Sequence, residues 1–182
     1  RHLLNLVDSV LSISRMETKR EALMFDDVEI KLVIQDAITE MLGEIKGKGL
    51  AIEIENHNEI GSIRADKLTI RQVILNVLSN AVKFTPAGGR IKVSARIEPK
   101  GEVEICIADN GIGIAAENIK KVMAPFAQSD DAQHGSQGGA GVGLPISRAL
   151  VEMHGGSIRI ESESGEGTTV RIMLPSPHSQ DI

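Results

Sequence analysis

Apolar positions open the chain at helical spacing. Leu3, Leu6, Val10 and Ile13 recur every three or four residues, flanked by Leu4, Val7 and Leu11, which predicts a helix with a wide apolar stripe. Such a stripe needs a partner, either another helix or the chain's own domain. The charged stretch Glu17 to Glu21 reads as a connector, so residues 1–21 are expected to be part of a helical bundle. Leu23 to Ile30 predicts a short strand. Ile30, Val33, Ile34, Ala37, Ile38, Met41, Leu42 and Ile45 then follow the helical period up to Gly47 and Gly49.

Ala51 to Glu55 alternates as a half-buried strand, and Ile63 to Ala65 is a shorter candidate. Asp66 suits the N-cap of a helix running to Phe84, where Thr85-Pro86 and Gly88-Gly89 stop it. Arg90 to Ile97 and Glu102 to Ala108 alternate as a strand pair around Pro99-Lys100-Gly101. Ser157 to Ser162 and Thr168 to Leu174 do the same around Gly165-Glu166-Gly167. Helices interleaved with antiparallel pairs predict an α+β fold rather than a parallel nucleotide fold. The expected architecture is a two-layer α/β sandwich, a mixed sheet of about five strands covered on one face by three helices. Residues 176–182 lack a periodic pattern and are expected to fray.

Composition changes the picture little. The chain has 182 residues, 41% hydrophobic and 25% charged, with a net charge of −5 and only three aromatics, all Phe. With no basic block, nucleic acid is excluded as a main partner. No apolar run approaches the roughly 18 residues of a membrane span, so no direct membrane contact is expected. A single cysteine, Cys106, forbids a disulfide within the chain and reads as a core thiol in a reducing, cytoplasmic compartment. The chain opens at Arg1 inside its first stripe, as a fragment of something longer would.

Four stretches carry candidate chemistry. On the helix from Asp66 to Phe84, Asn76, Asn80 and Lys83 share one face. An exposed face would favour Glu, Lys or Arg over asparagine, and two stacked amides beside a lysine suit a magnesium–triphosphate. The alternative is a solvated stripe. Asp109-Asn110-Gly111-Ile112-Gly113-Ile114 follows directly on a strand, so a carboxylate stands at the strand end, either in a routine turn or as acceptor for an exocyclic amine such as that of adenine. The glycines at 139, 141 and 143 precede the apolar run Leu144, Ile146, Leu150 and Val151. A glycine loop entering a helix can bind phosphate, although the same spacing occurs in dinucleotide folds and plain loops. Between Met123-Ala-Pro-Phe126 and that helix, the irregular polar stretch from Gln128 to Gly143 reads as a lid. A hydroxyl in the Gly165 to Thr169 turn could reach a base or an ordered water.

Together these stretches resemble the ATP-binding domain of sensor histidine kinases, in the superfamily shared with gyrase, mismatch-repair ATPases and the large heat-shock chaperone. Asn76-Val-Leu-Ser-Asn80-Ala-Val-Lys83-Phe84-Thr85 is similar to the family's asparagine motif. Asp109-x-Gly111-x-Gly113, Pro125-Phe126, Gly139-Ala-Gly141-Val142-Gly143-Leu144 and Gly165-Glu-Gly167-Thr168 match the remaining motifs in order. The resemblance covers residues 22–175. It implies ATP and Mg2+ as cofactors, with Asn80 on the metal, Asn76 and Lys83 at the phosphates and Asp109 at adenine. It further implies that Phe84, Gly111, Gly113, Ile114, Phe126, Gly139, Gly141, Val142, Gly143, Leu144 and Thr168 line the nucleotide site, the glycines before Leu144 serving as the lid hinge.

The implied activity is transfer of the γ-phosphoryl group to a histidine and thence to an aspartate on a response regulator receiver domain. The helix from Leu3 to Thr18 resembles the second helix of the kinase dimerisation hairpin, which implies a homodimer in the full-length protein. This part is then cytosolic, whether or not the parent sensor is membrane-anchored. Two departures stand out. The first hairpin helix, with its phosphoacceptor histidine, is missing, since His2, His57, His134, His154 and His178 do not match its motif. The lid from Gln128 to Gly143 holds neither Arg nor Lys. ATP-hydrolysing relatives carry a glutamate base where this chain has Asn76, and an amide cannot take a proton. A degenerate, non-catalytic nucleotide-binding or docking module is the other alternative.

Overall fold

The computed structural model describes residues 23–56, 60–124 and 142–175. The expected bundle helix of residues 1–21, residues 128–141 of the expected lid and the tail 176–182 lie outside them, as do the site candidates Phe126, Gly139 and Gly141. Two sheets form. A small one pairs β1 (Asp26–Glu29) antiparallel with β3 (Ser62–Ala65), and a five-stranded one has the order β2-β4-β5-β7-β6. Its strands are β2 (Ala51–Asn56), β4 (Arg90–Ile97), β5 (Val103–Asp109), β6 (Ser157–Glu163) and β7 (Gly167–Leu174). The β2–β4 pair is parallel and the others antiparallel, so the sheet is mixed as expected.

Three longer helices carry the covering layer: α1 (Ile30–Gly47), α2 (Lys67–Phe84) and α4 (Gly143–Met153). A fourth, α3 (Ala116–Val122), was not foreshadowed by periodicity; it has seven residues and buries only Asn118. The α2 start follows the predicted capping, with the Asp66 carboxylate accepting from Thr69 N–H at 2.9 Å. Pro145 sits in the first turn of α4, where no N–H is needed. Helix α1 ends in a Schellman turn: Gly49 has φ +63°, Leu50 N–H donates to Ile45 O and Gly49 N–H to Lys46 O.

Alternation in the strands divides the sheet. Ile91, Val93, Ala95, Val103, Ile105, Ile107, Val170, Ile172 and Leu174 point inward and join one core with Val33, Ile34, Val73, Ile74 and Leu78 of the helices. Each fully buried aliphatic side chain contributes about 1.5–3 kcal/mol. The opposite face is charged. There Glu104, only 6% exposed, accepts from Arg96 at 3.0 Å and Arg171 at 3.2 Å. Cys106 corrects an expectation: it is half-buried on this polar face, paired in register with Ser94 and Arg171, because residues 103, 105 and 107 take the core phase of β5.

Candidate functional site

The site candidates gather where α2, the loop after β5, the start of α4 and the β6–β7 turn meet. Asp109 is the last residue of β5, in register with Ile91 of β4 and Thr168 of β7. Its Oδ1 accepts from Gly111 N–H at 2.8 Å, which curls the following loop back over the strand end. Burial raises the Asp109 carboxyl above its ordinary value, only partly offset by the backbone N–H groups of Gly111 and Thr168. A half-buried carboxylate carrying that penalty is a poor structural choice and a good acceptor for a ligand donor.

The glycines of the loop are there because other atoms come too close. A Cβ on Gly111 would lie 2.6 Å from Phe84 O. Gly113 has φ +69° and packs against the Glu163 carbonyl, while Gly167 has φ +103° and packs against the Asp109 carbonyl. Ile112 N–H donates to Phe84 O at 3.2 Å, and Ile112 O accepts from Gly165 N–H at 2.7 Å, so the loop is tied to α2 on one side and to the β6–β7 turn on the other.

A polar relay stiffens that second side. Ile114 N–H donates to Ser162 Oγ at 2.8 Å, and Ser162 O–H donates to Gly167 O at 2.7 Å. The 2.9 Å contact between Ser162 Oγ and Thr168 Oγ1 then takes its hydrogen from Thr168, whose hydroxyl keeps its lone pairs for another donor. Ser162 was missed in the sequence. The signal was there: it occupies the inward phase of β6, after Ile158 and Ile160, where a polar residue needs a reason.

Helix α2 carries the amides and the lysine. Asn76 donates to Gly143 O at 3.3 Å and to Ser147 Oγ at 3.2 Å, and its Oδ1 accepts from Gln72 at 2.8 Å, so it joins α2 to the first turn of α4. Gly143 also lies against Asn80. Val142 is buried and Leu144 packs against the core, so these two fix the start of α4. Gly143 itself has neither a positive φ nor a crowded Cβ position. Lys83 is half-buried with its Nζ 4.7 Å from the Phe84 ring centre, and among the described residues no carboxylate pairs with it. Burial pulls its ammonium below the ordinary lysine value. A partly desolvated cation without a carboxylate partner suits an anion.

The pattern of the histidine kinase-, DNA gyrase B- and HSP90-like ATPases matches residues 65–178, more than half of the chain. The chain belongs to that family. It is 35% identical over 182 residues to the non-motile and phage-resistance protein of Caulobacter vibrioides, a match covering 98% of this chain and 22% of that protein. It is also 35% identical over 176 residues to histidine protein kinase DivJ of the same organism, covering 96% of this chain and 29% of DivJ. The crystal structure of full-length ShkA in complex with AMPPNP superposes with a TM-score of 0.85 at 30% identity, covering 96% of this chain and 36% of that one. The chain thus spans about a fifth to a third of the curated relatives it matches. It is an ATP-binding domain of the histidine-kinase type. Among the described residues, no helix of this ATPase-family domain is long and apolar enough to cross a membrane, and no three His, Cys, Asp or Glu side chains cluster as a metal site.

Proposed function

We propose that the chain binds ATP with magnesium and, within a longer sensor kinase, donates the γ-phosphoryl group to a histidine on another segment of that kinase. The observation that supports this reading is that the loop following the acceptor carboxylate Asp109 is tied, through Ile112 N–H to Phe84 O at 3.2 Å, to the end of the helix that carries Lys83, a cation without a carboxylate partner among the described residues. Asp109 accepts from the exocyclic amine of adenine, and the Thr168 hydroxyl orders a water beside it. Lys83 and the backbone N–H groups near Gly143 hold phosphate oxygens. Asn76 sits at the same mouth, its long bonds to Gly143 and Ser147 exchangeable for a phosphate oxygen.

Magnesium fits this donor set. Asn80 would offer the ion one hard amide oxygen, with phosphate oxygens and water completing its shell. When bound, it neutralises charge on the phosphates. The chain contributes positioning and electrostatics, as phosphoryl transfer requires. The acceptor imidazole nitrogen forms the N–P bond in line with the breaking bond between the γ-phosphorus and its bridging oxygen, and ADP leaves. Asn76 stands where hydrolysing relatives carry a base, which favours transfer over hydrolysis.

Residues 1–21 are proposed as the second helix of the dimerisation hairpin, residues 22–175 as the catalytic domain and 176–182 as a tail. A response regulator receiver domain is the proposed next acceptor. ThkA in complex with response regulator TrrA shares the fold, with a TM-score of 0.78 at 24% identity. The proposed location is the cytoplasm. Calorimetric titration of the chain with ATP tests the reading: binding should need magnesium and should weaken when Asn80→Ala removes the amide oxygen. Equal binding by the variant, or binding indifferent to magnesium, would overturn the assignment.

A further inference from the structure

Helix α2 carries Asn76, Asn80, Lys83 and Phe84, and its last turn abuts the Asp109 loop. A helix end leaves four carbonyls without intrahelical partners. Here those of Val82, Lys83, Phe84 and Thr85 are all satisfied. Phe84 O accepts from Ile112 N–H in the Asp109 loop. The other three accept from a single side chain, the Lys48 ammonium, at 2.7 Å to Val82 O, 2.9 Å to Lys83 O and 2.7 Å to Thr85 O. Each ammonium hydrogen has one carbonyl, and the positive charge stands against the negative end of the helix dipole.

Lys48 is itself held in place. It is the C-cap of α1 in the Schellman turn made by Gly49, its own carbonyl accepts from Gly88 N–H at 3.1 Å, and Ala51 N–H donates to Gly89 O at 2.9 Å. The turn from Thr85 to Gly89 is thereby clamped between the end of α1 and the start of β2. We infer that Lys48 is a positioning residue for the nucleotide site. Its bond to Lys83 is to the backbone carbonyl, not to the ammonium proposed to hold phosphate. It fixes the end of α2 so that Lys83 and Phe84 keep their place in the proposed nucleotide site and Phe84 O is placed to hold the Asp109 loop through Ile112. This inference deepens the proposed function and rests on that reading for its consequence in binding, while its local consequence can be read without nucleotide.

Two measurements on the whole chain test it. The first is amide hydrogen exchange without nucleotide in wild type and Lys48→Met, which keeps the length of the stem and removes all three donors. Exchange at Ile112 should accelerate about tenfold or more relative to the sheet amide of Ile105. Unchanged relative exchange at Ile112 would overturn the inference whatever the chain binds. The second is the dissociation constant for magnesium–ATP, measured well below each variant's melting temperature. It should rise about fivefold or more in Lys48→Met and less in Lys48→Arg, whose planar fork keeps the charge but cannot converge on three carbonyls. A lower melting temperature with an unchanged dissociation constant would reduce Lys48 to a stabilising residue and overturn the inference. Wild-type chain that binds no ATP would instead overturn the proposed function, leaving the exchange result to decide on Lys48.

Discussion

Replacing Asp109 by asparagine separates function from stability at one atom. Oδ1 of Asp109 accepts from Gly111 N–H at 2.8 Å, with Thr168 N–H a second backbone donor to the carboxylate, and the amide oxygen introduced by Asp109→Asn would remain their acceptor, so the loop keeps its shape. The second oxygen becomes an NH2 group and meets the amine of adenine donor to donor. Losing a hydrogen bond to a charged acceptor costs about 1.5–3 kcal/mol, which raises the dissociation constant roughly tenfold to hundredfold. Stability should move the other way. Burial raises the folded-state pKa of Asp109 above its unfolded value, so at neutral pH the folded chain bears an ionised carboxylate it would rather protonate. The substitution removes that penalty, and the variant should melt at or above the wild-type temperature at pH 7. As pH falls through the raised pKa, wild type takes up the proton, its penalty lifts and the two melting curves converge. Over the same range the wild-type chain should lose ATP affinity, with a midpoint above 3.8. Calorimetry and thermal melts between pH 4 and 8 read both effects. Unchanged ATP affinity in the variant, or a variant less stable at pH 7 than at pH 5 relative to wild type, would refute the reasoning.

Three further outcomes follow from packing and backbone geometry. Gly167→Ala places a methyl group against the Asp109 carbonyl at φ +103° and should cost at least about 1–3 kcal/mol in a denaturant melt, with ATP affinity lost alongside. His154 is 2% exposed, donates from Nδ1 to Leu150 O at 2.8 Å and accepts Asp66 N–H on Nε2 at 3.1 Å, which only the neutral Nδ1–H tautomer can do. His154→Leu orphans the Asp66 N–H and should cost about 1–3 kcal/mol by the same assay. Leu78→Ala, at a fully buried position on the inner face of α2, should cost about 2–5 kcal/mol without selectively changing the ATP dissociation constant of the molecules that remain folded.

What could be read from the chain was whatever one element expresses by itself. Alternation marked every strand of the five-stranded sheet, and Asp66, Thr85-Pro86 and the 3.6-residue period marked the whole of α2. The Asp109 carboxylate at the end of β5 and the amide face of α2 were visible for the same reason: their neighbours in sequence are also their neighbours in space. What escaped depends on partners far along the chain. Lys48 looks like an exposed lysine after a helix until its carbonyl partners, 34 to 37 residues away, are in view. Ser162 became intelligible only beside Ile114 and Thr168. Helix α3 lacks an apolar face long enough to show a period. Cys106 reads as a core residue because its apolar neighbours hide the phase of the strand. Gly111 and Gly167 read as turn residues, and their tighter role comes from the approach of Phe84 and Asp109.

The most direct test of the kinase reading is phosphoryl transfer itself. Chain incubated with magnesium and γ-labelled ATP, together with a separately supplied dimerisation hairpin from a histidine kinase relative, should pass acid-labile label to the hairpin's histidine. Wild-type chain should remain unlabelled, and Asn80→Ala should abolish the transfer. ATP bound by the chain with no label reaching any hairpin, or acid-labile label on His2 or another histidine of this chain, would contradict it.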